Sequence, residues 1–355
     1  MITKICRGFG LLGIGATVLV LAQGNGGIPA GTTRYKLNVP SALPPPPIPH
    51  DNQLTVEGVA LGLRLFNDKL LSGNNTQACA SCHTPVNSFS DRGKAVSTGS
   101  NGAKGTRNAM ALFNLAYAHN YFWDGRSPSL RDQALGPIQN PVEMNQTLDA
   151  LLKKLNADST YPAQFAKAFG SKGITAARVG LALEQYEETL LAGNSKFDLF
   201  QQGLVKLTAQ EDRGRVLFTT PFNPKQGQFG ADCARCHGGP LMTDFKFRNN
   251  GLDSQPKDLG LGGVTGLASD NGKFKTPSVR NLTVTGPYMH DGRFQTLEQV
   301  VQHYSSGVVQ SATLDPGMAK EKGGGVQLSA SDQAALVAFL KTLVEPQYQS
   351  SPGRP

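Results

Sequence analysis

Cysteine is scarce in this chain: among 355 residues there are five, Cys6, Cys79, Cys82, Cys233 and Cys236. Four fall in two CxxC pairs, and Cys6 lies in an N-terminal segment with the character of an export signal. No pair is left over for a structural disulfide. Long apolar runs are missing as well. Beyond Phe9 to Leu21, no stretch approaches the roughly 20 apolar residues that a membrane-spanning helix needs. Dense Lys/Arg clusters and basic amphipathic helices are absent, and 34 basic against 26 acidic residues leave a net charge of only +8. That balance is too mild to point to nucleic acid or to a membrane surface. No strand–helix–strand alternation appears, which excludes a parallel-sheet α/β fold. Tryptophan occurs once, as Trp123.

What is present is more specific. Cys79-Ala80-Ser81-Cys82-His83 places two thiols three residues apart with a histidine directly after, and Cys233-Ala234-Arg235-Cys236-His237 repeats the arrangement. This is the attachment signature of a c-type haem. On a helical turn, positions i and i+3 share a face, so both thiols reach the two vinyl groups of one porphyrin. The adjacent imidazole, His83 or His237, then turns to the iron. A zinc site would need the two CxxC pairs to meet in space and would leave both histidines unexplained.

Residues 1–22 read as a secretory signal: Lys4 and Arg7, then an uncharged apolar run, then Val20-Leu21-Ala22 as a small-residue cleavage pattern. Export to the periplasm suits covalent haem attachment, and no membrane contact is expected once the signal is removed. Residues 23–52 form a Pro/Gly-rich lead, expected to lie extended along the body. The remainder divides into a first haem domain, residues 53–200, a second, residues 201–346, and a frayed tail, residues 347–355. Helices are expected from Thr55, with Val56, Val59, Leu61, Leu63, Leu65 and Phe66 as the apolar stripe, and over Ser129–Ala134, Leu148–Leu155 and Ala176–Ala192. Arg107 to Tyr121 reads as helical or semi-regular. Thr208-Ala209-Gln210-Glu211 is a capping box opening a helix through Phe218, and a last helix runs from Ser329 or Ser331 to Val344.

The halves repeat one another. A Gly-x-x-Leu-Phe helix, CxxCH, an Arg-Asn pair, an Asp-Gly-Arg triplet and a leucine four residues later occur in this order twice. The matched elements are Arg107-Asn108 with Arg280-Asn281, and Trp123-Asp124-Gly125-Arg126 with His290-Asp291-Gly292-Arg293. The predicted fold class is mainly α: two cytochrome c-like haem domains related by internal duplication.

Two CxxCH motifs, with Phe122-Trp123-Asp124-Gly125-Arg126, Gln133 and Glu143-Met144 between them, resemble the bacterial di-haem cytochrome c peroxidase/MauG family over roughly Leu54 to Leu343. The resemblance implies His83 and His237 as proximal ligands of two covalently bound haems. It implies Glu143 as the acid/base that moves a proton during peroxide cleavage, Gln133 as an orienting group and Pro137 as part of the pocket wall. Trp123 is implied as the electron relay between haems, and His290 as a neighbour of the second haem. Many peroxidases of the family carry a blocking histidine in the loop after the first CxxCH. Here the matching Ser97-Thr98-Gly99-Ser100-Asn101-Gly102 has none, and His119 has no family match. The first iron is therefore expected to be five-coordinate and open.

At the second haem, the peroxidases carry a methionine fourteen residues after the histidine of a Pro-Tyr-x-His-Asp-Gly segment. Here Pro287-Tyr288-Met289-His290-Asp291-Gly292 leads instead to Tyr304. The MauG branch uses tyrosine at this position, and an anionic phenolate lowers the iron's potential where a thioether raises it. Met289 and His303 stand as alternative ligands. The family also binds calcium between its domains, which implies the Asn108 side chain and the carbonyls of Thr285 and Pro287 here. The activity implied is reduction of hydrogen peroxide, with electrons from a small c-type cytochrome or a cupredoxin. The alternatives are a MauG-like oxidation of a partner protein's side chains by a high-valent haem state, and a non-catalytic di-haem electron carrier.

Overall fold

A computed structural model describes residues 27–318, 320 and 324–349; the expected signal, residues 1–22, lies outside them. The molecule is mostly helical. The first half contains α1 (Val56–Asn67), α2 (Leu130–Gln139), α3 (Leu148–Ala157), α4 (Tyr161–Phe169) and α5 (Ala176–Glu187). The second contains α6 (Lys196–Gln201), α7 (Ala209–Thr219), α8 (Ala234–His237), α9 (Gly262–Thr265), α10 (Leu282–Thr285), α11 (Leu297–Gln302) and α12 (Ala330–Lys341). Two short antiparallel pairs complete it, β1 (Phe222–Asn223) with β2 (Gln228–Phe229), and β3 (Phe247–Arg248) with β4 (Phe274–Lys275).

Serine and threonine start most of the longer helices. Thr55, Ser129, Thr147, Thr175, Thr208 and Ser329 each accept a backbone N–H of the first turn, satisfying a donor the helix cannot use. The capping box of Thr208 and Glu211 forms as expected. Buried side chains gather in two clusters. One, spanning Leu54 to Tyr186, is built on α1 to α5; the other, spanning Phe197 to Leu343, on α7, α11 and α12. Phe197 on α6 joins the second cluster.

Each cluster is held by a close helix crossing at a glycine. A side chain at Gly62 of α1 would strike the Ala182 carbonyl and Tyr186 of α5; one at Gly214 of α7 would strike the Ala335 carbonyl and Phe339 of α12. The likeness extends further. Asn114, in the left-handed region, takes Leu190 O and Ala192 beyond α5; Asn281, also left-handed, takes Leu343 O and Glu345 beyond α12. Asn114 and Asn281 each stand eleven residues before the glycine of Asp-Gly-Arg. In these bonds and in this spacing Asn281 resembles Asn114, whereas order along the sequence matched it with Asn108.

Several expectations need correction. Val56 and Leu63 are exposed, because only Val59, Leu61, Leu65 and Phe66 face α5 and the first core. Arg107 to Tyr121 is extended apart from one turn at Leu115–Tyr117. The N–H groups of Asn108, Leu112 and Asn114 go instead to the carbonyls of His290, Phe89 and Leu190. α4 had no sequence expectation, and α5 ends at Glu187 rather than Ala192. Pro346–Gln349, at the start of the tail, is a helical turn. The Pro-rich lead does lie on the body: Leu43 is buried and Tyr117 Oη donates to Pro44 O at 2.6 Å.

The second half carries one fully desolvated ion pair. Arg280 is 2% exposed and Asp198 0%, with two bonds of 2.7 and 2.8 Å between them, and Pro240 O takes further guanidinium hydrogens. Burial opposes ionisation of Asp198, but the hydrogen bonds and charge of Arg280 outweigh it and hold the carboxyl below its usual range. A depressed carboxylate contributes stability above its unfolded pKa, about 3.9, and loses it as pH falls through the folded value. Asp198→Asn would leave Arg280 buried without a counter-charge, and we expect a loss of roughly 3–5 kcal/mol in urea unfolding at pH 7. The gap between the variant and the parent should close in acid.

Candidate functional site

The first cavity, about 130 Å³, is lined by Cys79, Cys82, His83, Gln133, Pro137 and Glu143, with Glu187 and the loop residues Ser97 to Gly99. Cys79 begins a 3₁₀ turn, which puts Cys79 and Cys82 on one side. Burial holds His83 below its ordinary pKa, and its Nδ1 lies 2.8 Å from the Phe89 carbonyl. A carbonyl only accepts, so Nδ1 carries the proton and Nε2 keeps a lone pair, the state an iron ligand needs.

Opposite lie α2 and the turn that follows it. Pro137 sits inside α2 and has no N–H, so the Gln133 carbonyl loses its partner one turn on. Glu143 Oε1 accepts from Asn140 Nδ2 at 2.7 Å. Burial raises the Glu143 carboxyl, against the opposing pull of Asn140 and Arg126. The histidine-free loop is fastened to this turn: Ser100 N donates to Glu143 O at 2.7 Å and Ser100 Oγ to Met144 O at 3.2 Å. His83 is the one histidine lining the cavity, and His119 is exposed.

The second cavity, about 230 Å³, is lined by Cys233, Cys236, His237, Met289, His290 and Tyr304, among others. His237 repeats the first arrangement, with Nδ1 3.1 Å from Pro277 O and burial pushing the ring down to about 4. Tyr304 stands in a π-helical turn, His303–Gly307, and its hydroxyl accepts from Asn250 Nδ2 at 3.1 Å. The same amide lies 3.4 Å from Met289 Sδ. Burial pushes the free phenol up to about 12, so a cation in the cavity must draw off its proton before it binds as phenolate. His303 does not line this cavity, and its Nε2 lies 3.0 Å from Asn250 O, which sets it apart as a candidate ligand. His290 stacks on Phe274 at 3.7 Å, both rings lining the cavity.

The wall between the cavities is one strand of chain. Arg107 and Ala109 line the first cavity while Asn108, between them, lines the second. Trp123 Nε1 donates to Asn108 O at 2.9 Å, and Trp123 lines the second cavity. Arg107 anchors the wall through Asp124 and Asp258. Asn108 Nδ2 donates to Lys94 O and Ala95 O at 3.0 and 3.2 Å, which turns Oδ1 the other way. Thr285 and Pro287 line the same cavity as Asn108. Cys79 and Cys82 line one cavity and Cys233 and Cys236 the other.

Three features were missed. Glu187 lines the first cavity; its signal was a Glu-Glu pair at the negative end of a mostly buried helix, an unfavourable place for acids. Asn250 and Lys275 line the second and had none, since only chain crossings bring them there.

Two cavities, each with paired thiols and a neutral imidazole, define a protein that carries two haems. A profile of the di-haem cytochrome c peroxidase family matches residues 56–206. The methylamine utilization protein MauG of Methylorubrum extorquens is 38% identical over 84% of this chain and 81% of its own length. The cytochrome c551 peroxidase of Nitrosomonas europaea is 33% identical over 81% and 80%. A crystal structure of a MauG-like protein associated with microbial copper homeostasis superimposes with a TM-score of 0.77 at 32% identity, covering 89% of this chain and 99% of that one. The chain belongs to the di-haem cytochrome c peroxidase/MauG family and is an oxidoreductase.

The fastened loop has a checkable consequence. A methyl group at Gly99 would meet the carbonyls of Val142 and Glu143. Gly99→Ala should destabilise the protein by roughly 1–3 kcal/mol and raise hydrogen exchange in residues 97–102.

Proposed function

We propose that the chain is a periplasmic di-haem peroxidase that reduces hydrogen peroxide to water at the first haem. Electrons enter at the second from a small c-type cytochrome or a cupredoxin. Covalent attachment through Cys79 and Cys82, and through Cys233 and Cys236, fits thiols paired on turns beside His83 and His237. One observation carries the reading: the first cavity joins His83 to Gln133, Pro137 and Glu143 and contains no second histidine. When bound there, haem would supply the iron chemistry that takes peroxide and holds its oxidising equivalents, with His83 as the residue to ligate it.

The chain's own groups do the rest. Glu143 accepts the proton of one peroxide oxygen and returns it to the other, so water leaves rather than hydroxide. With Oε1 held by Asn140, Oε2 is the atom left for this transfer. Gln133 orients peroxide by hydrogen bond, and Pro137 closes the wall. Trp123, tied to the partition at Asn108, carries electrons across it. Asn108 Oδ1 with the Thr285 and Pro287 carbonyls forms a neutral oxygen set suited to calcium, which would stiffen the partition. The repeated glycine crossings and asparagine turns support two haem domains arising by duplication, and residues 1–22 support export.

A MauG-like oxidation of a partner protein is the second reading, favoured by the Tyr304 hydroxyl in the second cavity and by the MauG relatives. A carrier without catalysis needs a sixth ligand at the first iron, and that cavity offers no histidine or methionine opposite His83 except Met144, which is buried in the first core.

The oxidised protein as isolated should show a high-spin haem and react with peroxide without prior reduction; an EPR spectrum with only low-spin haem sinks the reading. Glu143→Gln should lower kcat/KM for peroxide by roughly 10²–10⁴-fold. Because burial raises this carboxyl, activity should fall as acid protonates it, beginning above the ordinary value of about 4.3, and Glu143→Gln should lack that limb. Steady-state assays with reduced cytochrome c against candidate protein substrates separate the two enzyme readings. Tyr304→Phe is expected to change the second haem's spectrum and Met289→Leu to leave it; the opposite pair of results assigns the ligand to sulfur.

A further inference from the structure

Three buried side-chain atoms of the described residues lack a hydrogen-bond partner, and two belong to consecutive carboxyls, Glu187 Oε2 and Glu188 Oε2. Both residues are 3% exposed. A buried carboxyl kept for structure finds partners, as Asp198 does with Arg280 and Ser195 in this same chain. Glu187, the last residue of α5, lines the first cavity together with His83 and Glu143. Glu188 caps the helix behind it.

Glu184 acts on both through its charge and is tied through Arg131 to an acid at the surface. Glu184, one turn earlier, is held by Asn52 Nδ2 at 2.7 Å and Arg131 Nη2 at 2.8 Å. Arg131 reaches on to Asp51 at 2.7 Å, whose side chain is 70% exposed. Arg131 stays charged and carries no proton itself; it holds the two acids in line. The charged and titratable groups around Glu187 are thus Glu184 on α5, Glu188 at its C-cap, Arg131 on α2, Asp51 on the lead, Tyr121 before α2, and Cys79, Cys82, His83, Arg107 and Glu143 at the cavity. Desolvation first, and the charge of Glu184 second, push Glu187 up to about 8; Glu188 is pushed up to about 9 by the same two causes. At neutral pH both keep a proton.

We propose that Glu187, resupplied through Glu188 and Glu184, is the proton inlet of the first haem cavity. The role rests on the peroxidase reading. In H₂O₂ + 2 H⁺ + 2 e⁻ → 2 H₂O the O–O bond breaks, two electrons come from the one-electron protein donor, and two protons come from solvent. Glu143 moves a proton from one peroxide oxygen to the other and so supplies none of the two. Glu187 donates into the cavity and is reprotonated from the acids behind it, water bridging the carboxyls.

The test uses the holoenzyme and its isosteric variant Glu187→Gln. With saturating peroxide and reduced cytochrome c, kcat should fall roughly tenfold or more, with a larger solvent isotope effect. The initial reaction with peroxide, which draws on Glu143 and Gln133, should stay within about twofold. Glu187→Asp should recover part of the loss and guards against a folding defect in the first variant. A readout independent of turnover is thermal stability. A carboxyl whose folded pKa is raised contributes stability below its unfolded pKa of about 4.3 and loses it as pH rises through the folded value. Glu187→Gln should therefore exceed the parent in Tm by a margin that grows from pH 4 toward the folded pKa of about 8. Unchanged kcat and isotope effect in a turning-over parent overturn the proposal, as does a Tm difference that does not vary with pH. A parent that does not turn over peroxide overturns the peroxidase reading instead.

Discussion

A long α-helix can pass close to another only where a side chain is missing, and this molecule is built on two such places. At Gly62 the backbone of α1 rests on α5, and at Gly214 that of α7 rests on α12. Each crossing fixes a helix pair, and each pair fixes the turn that carries a CxxCH motif and the segment that faces it. A methyl group at either position would move the cavity as a whole, since interiors are close-packed and transmit such shifts. Asn114 and Asn281 then fasten a loop across the end of each pair, which sets where the Asp-Gly-Arg turns point.

The cavities are equal in construction and unequal in furnishing. Both hold a histidine whose Nδ1–H is given to a carbonyl, leaving Nε2 for iron. The first adds a raised carboxyl, an amide and a proline; the second adds a phenol, a thioether and stacked rings. In the proposed function the first moves protons on a small oxygen substrate and the second passes charge. Asn108 and its two neighbours divide them at the thickness of a single strand, with Trp123 tied to the middle residue. Glu187 and Glu188, each with one buried carboxyl oxygen unpaired, lie on the side of the first cavity, where the proposed reaction would consume protons.

The haem motifs, the capping box at Thr208 and most of the longer helices were legible in the sequence because each depends on residues a few positions apart. Cys79 and Cys82 share a turn by spacing alone, and Thr208 caps α7 through its own third residue. The stretch from Arg107 to Tyr121 was misread because its hydrogen bonds run to distant carbonyls, and local pattern cannot report a partner at His290 or Leu190. The likeness of Asn281 to Asn114 was missed for a related reason. Identity of neighbours matched Asn281 with Asn108, while the bond to the chain beyond the opposing helix is one that Asn114 makes.

By itself, then, the order of residues determined which groups the protein owns: two haem-binding turns, one tryptophan, Gln133, Glu143, Tyr304 and a loop without histidine. Those are matters of spacing and composition. Only the tertiary structure decided what meets what. It turned His303 away from the second cavity and set Met289 beside Tyr304 under one amide. It made Asn108 a partition and placed Glu187 at the first cavity with its Oε2 unpaired. Burial and the absence of a partner arise from packing across the chain, and so they exist only once the chain has folded.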